Sequence, residues 1–199
     1  MTLDIGESVP VAGVPVVRTR RLVLRGWEAR DIPAYTRMAL QSEMSRYTGS
    51  PGSESAVWNM FAHQIGHWAL NGFGMWLAHD RVTGEFVGRA GLYREHGWPG
   101  LEAAWTICPE RWGQGLATEG GAAAVEYAFT HVDADRVISI IHPENAASIR
   151  VAEKLGLSFA EATVRNGNPR HIYALTRADW SARPAVDGGP RWRRLLSDG

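Results

Sequence analysis

Hydrophobic and polar positions change period several times along the chain, and each change marks an element. Over residues 19–27, Leu22 and Leu24 alternate with polar neighbours, the period of a half-buried strand. Asp31 precedes IPAYTRMAL, an N-cap signature with proline in the first helical turn. A longer helix is predicted over residues 55–70, because Val57, Phe61, Ile65 and Trp68 share a face and Asn71-Gly72 stops it. Strands are predicted at 74–79 and 85–92, joined by a turn ending in Thr83-Gly84.

Residues 101–107, LEAAWTI, are apolar except for Glu102 and Thr106 and read as a buried strand. A glycine-rich stretch then opens a helix reaching about Thr130, with Ala117, Gly121, Ala124, Val125 and Ala128 on one face. The β-branched run at 136–141 reads as a strand covered on both faces, and strand, helix, strand makes a crossover unit with a parallel pair. Asn145 begins another helix, and Gly156 suits the left-handed position that ends it. A hairpin near 159–164 and 171–176 closes the pattern. From about Arg183 the chain turns to Pro, Gly and Arg, so a mobile tail is expected, with Trp192, Leu195 and Leu196 available to dock on a partner.

Composition narrows the classes. At 199 residues with 45% hydrophobic content, one soluble domain is expected rather than two. Lys plus Arg equals Asp plus Glu at 21 each, so no global field favours nucleic acid or an anionic membrane. The opening residues lack a basic end with an apolar run, and no stretch approaches membrane-spanning length, so a cytoplasmic location is expected. A single cysteine, Cys108, excludes an internal disulfide or a cysteine-based zinc cluster and reads as a small side chain at a strand end. Most of the nine tryptophans should be core or cleft wall.

The stretch RWGQGLATEGG, residues 111–121, carries the chemistry. Gly120 and Gly121 each cost a helix roughly 1 kcal/mol relative to alanine, so close approach of another surface is the natural reason for them. Gly113 and Gly115 precede the helix, where successive N–H groups converging at the positive end of the helix dipole make an anion cradle. A tight turn packed on a neighbouring helix is the other reading. The dinucleotide fingerprint fits this glycine spacing poorly, and no Gly-Lys-Ser or Gly-Lys-Thr follows as a Walker loop requires.

Two motifs carry a resemblance. Trp112-Gly113-Gln114-Gly115-Leu116-Ala117, followed by Thr118-Glu119, resembles the acetyl-CoA loop of the GNAT acetyltransferases, Q/R-x-x-G-x-G/A, with Trp112 departing from Gln or Arg at the first position. The helix from Asn145 through Ser148 and Lys154 to Gly156 resembles the second signature of the ribosomal-protein N-terminal acetyltransferase branch, the RimJ/RimL type. With TRRLVLR near the start and LTRADW near the end, the resemblance spans about residues 18–180.

The resemblance implies an α/β (α+β) fold of GNAT type over residues 18–182, between an N-terminal extension, 1–17, and the tail, 183–199. Its central sheet is mixed and mostly antiparallel, with a parallel splayed strand pair, flanked by helices. It implies that amides from Gly113 to Thr118 hold the pyrophosphate of acetyl-CoA, and that pantetheine lies near Thr106 and Ile107, where one N–H serves the oxyanion. Asn145 is an N-cap on physical grounds and a CoA contact by resemblance. Many relatives protonate the departing thiolate with a tyrosine seven residues after this asparagine, where this chain has Ala152. Ser148 shares the face of Ala152 one turn earlier and can serve instead, or can simply bond backbone.

For a base, Glu102 is the one acid in a buried strand, and desolvation would raise its pKa; a cross-strand pair with Arg89 or Arg94 is the alternative. An α-amine of pKa about 7.7 is roughly one-sixth neutral at pH 7, so a weak base or a water chain suffices for it. Trp58, His63 and Trp76 are expected to shape the acceptor site. His63 and His67 have zinc-like spacing but no glutamate directly after His63 and no evident third ligand, so no metal is expected. His142 and His171 can shuttle protons or merely hydrogen-bond.

The function so implied is transfer of an acetyl group from acetyl-CoA to a primary amine, a protein N-terminus or a small molecule, by direct attack. Nucleic-acid and membrane partners are not expected, and a homodimer is compatible. The alternatives are a non-catalytic acyl-CoA-binding or interaction module, and a doubly wound nucleotide-binding regulator.

Overall fold

The computed structural model describes residues 13–182. The predicted tail, including Trp192, Leu195 and Leu196, lies outside the described residues. Eight strands form one sheet: β1 (Val17–Arg18), β2 (Leu22–Arg25), β3 (Met75–Asp80), β4 (Phe86–Tyr93), β5 (Glu102–Ile107), β6 (Arg136–Ile141), β7 (Ser158–Arg165) and β8 (Asn168–Thr176). Their spatial order is β1-β2-β3-β4-β5-β6-β8-β7. Every neighbouring pair is antiparallel except β5 and β6, which are parallel and register only at Glu102 opposite Ile138.

Helices cover both faces. On one lie α1 (Ile32–Ala39), α2 (Ser42–Thr48) and α3 (Glu54–Asn71); on the other, α4 (Leu116–Thr130) and α5 (Ala146–Leu155), with a short α6 (Arg177–Ser181) following β8. Strand alternation makes the division visible in β4: Arg89 reaches Tyr35 of α1, while the next residue, Ala90, faces Gly120 of α4. Trp27, Tyr35 and Phe61 meet edge to face beneath α1 and α3, and the Trp27 and Trp68 indoles both donate to Met75 O.

The two helical glycines let α4 close onto its neighbours. A Cβ at Gly120 would lie 2.7 Å from Ala90 Cβ, and one at Gly121 would lie 2.7 Å from Leu155 Cδ1 and 3.0 Å from the Trp105 ring. α4 therefore packs almost backbone to sheet, and its position is set by β4, β5 and α5 together.

The N-terminal helix departs from expectation. A 3-10 turn, Ala29–Asp31, precedes α1, and Asp31 makes no side-chain cap to it. Its carboxylate instead meets Arg25 at 2.7 and 2.8 Å and accepts the Glu28 N–H. The ion pair with Arg25 competes for the oxygens that a cap would use. Neither α2 nor α6 is foreseen from the apolar pattern. No helix among the described residues is long and apolar enough to cross a membrane.

Candidate active site

The glycine-rich stretch opens α4 as a cradle. Gly113 and Gly115 adopt φ of +73° and +80°, the left-handed region, and Gly115 is the N-cap. The N–H groups of Leu116, Ala117 and Thr118 then have no carbonyl one turn earlier in the helix to bond, and they point out of its positive end. A Cβ at Gly113 would meet nothing within 4 Å, so glycine stands there for its φ and not for lack of room. Trp112, the departure from the loop pattern, donates its indole N–H to Ile107 O at 2.6 Å and ties the cradle to the end of β5.

A second tie comes from far away in sequence. Glu119, in the first turn of α4 and 0% exposed, accepts from Thr19 Oγ1 and the Arg21 N–H at 2.6 Å each, and from Arg21 Nε at 2.7 Å. Arg21 Nη1 donates to Gln114 O at 2.7 Å, so β2, the loop and the helix start form one hydrogen-bonded unit. Neither Thr19 nor Arg21 is singled out by sequence reasoning; TRRLVLR signals a strand and a family likeness, not a contact a hundred residues downstream.

The next feature is the gap between β5 and β6. Cys108 donates its N–H to Val87 O at 2.9 Å, so antiparallel alternation turns the peptide groups of Thr106 toward β4 and those of Trp105 and Ile107 toward the gap. Of the two expected oxyanion donors, Ile107 can serve and the Thr106 amide is committed to the sheet; the Thr106 side chain lines the cleft. Burial pushes the Cys108 thiol up to about 11, which leaves no thiolate nucleophile beside the loop.

A cleft of about 720 Å³ opens on the α2 and α3 side of this gap. Ser148, Asn145, His142 and Glu102 all line it. Asn145 Oδ1 accepts the Ser148 N–H at 3.1 Å, so the cap is Asn145 and the Ser148 hydroxyl makes no hydrogen bond among the described residues. Ala152, in the family's tyrosine position, is fully buried.

Glu102 is 8% exposed and accepts from Trp98 Nε1 at 2.8 Å and from the Ile140 N–H at 3.1 Å. Burial lifts its pKa to about 7, partly offset by the Ile140 amide and the Trp98 indole. The alternative of a cross-strand ion pair does not hold: neither Arg89 nor Arg94 pairs with it, and its partner in register is Tyr93.

Of the three residues expected to shape an acceptor site, two do not line the cleft. His63 lines the cleft and lies 3.1 Å from Tyr93 Oη. Trp76 does not line it: it is fully buried on the opposite face, against Tyr127 of α4, with its indole on Pro15 O. Period-two alternation gives the cleft Met75 instead. Trp58 is 56% exposed and misses the cleft, because the turn of α3 that faces it carries Asn59, Met60, His63 and Gln64. His67 turns inward and commits both ring nitrogens to the backbone of Phe73 and Arg94, and burial holds its pKa below the usual imidazole value. His171 packs on Phe159. Tyr47, Trp98 and Arg170 line the cleft unforeseen, since α2 has little apolar pattern and the other two sit beside turns.

Comparison with known proteins agrees with this geometry. Residues 21–158 match the family model for the acetyltransferase (GNAT) domain. The chain is 32% identical over 104 residues to the uncharacterized protein YkkB of Bacillus subtilis (strain 168), a match covering 51% of this chain and 60% of that protein. Its fold superposes on the crystal structure of the acetyltransferase from Agrobacterium tumefaciens str. C58 with a TM-score of 0.76 and 27% identity, covering 86% of this chain and all of that one. A further likeness, at TM-score 0.65 and 20% identity over 86% of this chain and 91% of the other, is to Mycobacterium smegmatis RimJ in complex with CoA-disulfide, and it speaks for the fold.

Proposed function

The chain belongs to the GNAT acetyltransferase family, and from that premise we propose that it moves an acetyl group from acetyl-CoA to a primary amine bound in the cleft, by direct attack. Acetyl-CoA supplies the activated acyl group. The amides of Leu116, Ala117 and Thr118, with the backbone of Gly113 to Gly115, hold its pyrophosphate, and Trp105 and Ile107 offer the gap-facing peptide groups along which pantetheine lies. The Ile107 N–H stabilises the developing oxyanion. Glu102 takes the proton that the attacking nitrogen gives up, directly or through water. Ser148 donates a hydrogen bond to the departing sulfur, with Asn145 holding the helix start beside it.

The observation that best supports the reading is the cleft-facing Ser148 hydroxyl, which makes no hydrogen bond among the described residues and lies on the same cavity as a buried carboxyl of raised pKa. The Asn145 to Gly156 signature supports placing the chain in the RimJ/RimL branch, and a cytoplasmic location accords with that. A non-catalytic acyl-CoA module is not favoured, because binding alone requires neither group. CoA release measured over a panel of amines tests the proposal. Turnover with at least one primary amine is expected; tight acetyl-CoA binding without release on any of them would overturn it.

A further inference from the structure

Among the described residues Glu102 is the one carboxyl on the cleft wall; two arginines, Arg89 and Arg170, line the same cavity. Elsewhere among the described residues Arg21, Arg25, Arg30, Arg111 and Arg177 each meet a carboxylate. Arg89 and Arg170 form no ion pair among the described residues. Arg89 is half-buried on β4 and held by neutral groups: Nη1 donates to Tyr35 Oη at 3.2 Å, Nε lies 3.5 Å from Thr106 Oγ1, and the guanidinium stands 5.9 Å from the Tyr35 ring centre. Its Nη2 has no hydrogen-bond partner among the described residues. Arg170 is held similarly, its Nη2 on Tyr47 O at 3.1 Å and its Nη1 on Pro169 O at 3.0 Å.

A half-buried guanidinium fixed in place without a counter-charge is costly unless an anion arrives to meet it. The nearest internal acid, Glu102, interacts with Arg89 only at longer range: it forms no ion pair with it, its oxygens accept from Trp98 and Ile140, and its raised pKa leaves it only partly charged at neutral pH. The pyrophosphate cannot take it either on the reading above, since the cradle opens α4 on the opposite face of the sheet from Arg89, whose side chain points to Tyr35 of α1. The remaining source is the acceptor. Arg89 sits opposite Thr106 on β5, next to the gap-facing peptide groups where the acyl carbon would be attacked. An acceptor whose amine reaches that carbon would therefore bring its neighbouring substituent to Arg89.

We propose that the acceptor is a small amine bearing a carboxylate, an amino acid, whose carboxylate is bound by Arg89 with Arg170 adding charge at the wall. The inference rests on the acetyl transfer proposed above. A strongly cationic acceptor, such as a polyamine, is disfavoured by the same two side chains, and a protein N-terminus lacks the α-carboxylate. The aromatic wall of Tyr47, Tyr93 and Trp98 favours an aromatic side chain.

The test is CoA release with L-phenylalanine against L-phenylalaninamide, with spermidine and a short peptide as further acceptors. The amide has the more readily deprotonated amine, so intrinsic reactivity works against the expected result. Wild type should favour the acid by tenfold or more in kcat/KM. Arg89→Gln should collapse that ratio toward one, chiefly through KM for the acid, and Arg89→Lys should restore part of it. A wild-type ratio of one or less, a preference for spermidine or the peptide, or a ratio unmoved by Arg89→Gln would overturn the inference. Release with the amide, the peptide or spermidine but no preference for the acid defeats only this inference. Acetyl-CoA binding without release on any acceptor defeats the transfer reading as well.

Discussion

Glu102 accepts the backbone N–H of Ile140 at 3.1 Å, at the point where β5 and β6 stop pairing. In a continuing parallel ladder that N–H would go to Ala103 O. Here Ala103 O takes the Ser139 hydroxyl at 2.6 Å, and the Glu102 carboxylate takes Ile140. Two side chains thus satisfy the first acceptor and donor that the splay releases, Ala103 O and the Ile140 N–H. Opening the gap and siting a carboxyl beside it are one structural act.

That arrangement predicts a pH-dependent stability. The folded-state pKa of Glu102 lies at about 7, above its ordinary value of 4.5, so the folded chain binds this proton more tightly. The contribution is fully present below pH 4.5 and is lost as pH rises through about 7. A shift of that size corresponds to roughly 3 kcal/mol. Denaturant titrations of wild type and Glu102→Gln should therefore diverge between pH 5 and pH 8, with wild type losing about that much relative to the variant. Parallel curves would mean that Glu102 titrates near its ordinary value.

On the proposed mechanism the same carboxyl acts on rate with the opposite sign. As a base it must be ionised, so kcat/KM should climb through pH 7 in wild type, over and above the acceptor's own titration. Glu102→Gln should lower turnover by roughly 10²-fold or more and remove the step near neutrality. If the variant kept the wild-type profile, the proton would be leaving by another route.

Ser148→Ala removes a hydroxyl that has no hydrogen-bond partner among the described residues. The cap by Asn145 survives, because it bonds the Ser148 amide, so the fold and acetyl-CoA affinity should change little. Turnover should fall by roughly 10²-fold or more if the hydroxyl meets the departing sulfur, the loss typical of one positioned donor. Pre-steady-state CoA release separates the two quantities. Unchanged release would exclude Ser148 from the chemistry.

Legibility in the sequence followed local periodicity. β6 at Arg136–Ile141 and α4 ending at Thr130 stand where the apolar pattern puts them, and the crossover from β5 through α4 to β6 is parallel as the pattern requires. The cradle glycines were readable because positive φ and helix entry are local demands. The acceptor wall was not. Which face a strand residue joins depends on register, and Trp76 could be assigned to the core only once β3 was set against β4. Arg89 and Arg170 reach one cleft from β4 and β8, a convergence that no local pattern encodes. α2 was missed because its seven residues include few apolar ones to mark a period.

The helical glycines make a prediction of opposite signs at two sites. Gly66 in α3 has open space around a built Cβ, so Gly66→Ala should stabilise the chain by about 0.5 to 1 kcal/mol through helix propensity. Gly120→Ala gains the same propensity but drives a methyl to 2.7 Å from Ala90 Cβ, and overpacking costs roughly 1 to 3 kcal/mol. The Gly120 variant should melt lower than wild type and the Gly66 variant higher. A Gly120 variant that melted higher would show that α4 can shift off the sheet.

Glu119 offers a test of how the cradle is held. It touches no position where a ligand would lie, yet it joins Thr19, Arg21 and, through Arg21, the Gln114 carbonyl. Glu119→Gln keeps an acceptor for the Arg21 amide but puts an N–H or a neutral oxygen opposite the guanidinium. The Glu119 carboxylate is buried but the Arg21 side chain is 35% exposed, so the loss should fall below the roughly 3 kcal/mol of a fully buried pair, a drop of several degrees in Tm for a chain of this size. Loss of stability alone would leave binding by the folded fraction untouched. If the unit positions the loop, calorimetry well below Tm should show acetyl-CoA binding weakened several-fold, while KM for the acceptor at saturating acetyl-CoA stays put. Arg21→Ala, which frees Gln114 from the same unit, should reproduce the binding loss. Normal affinity in both variants would reduce the Glu119 cluster to a fastening of β2 onto α4.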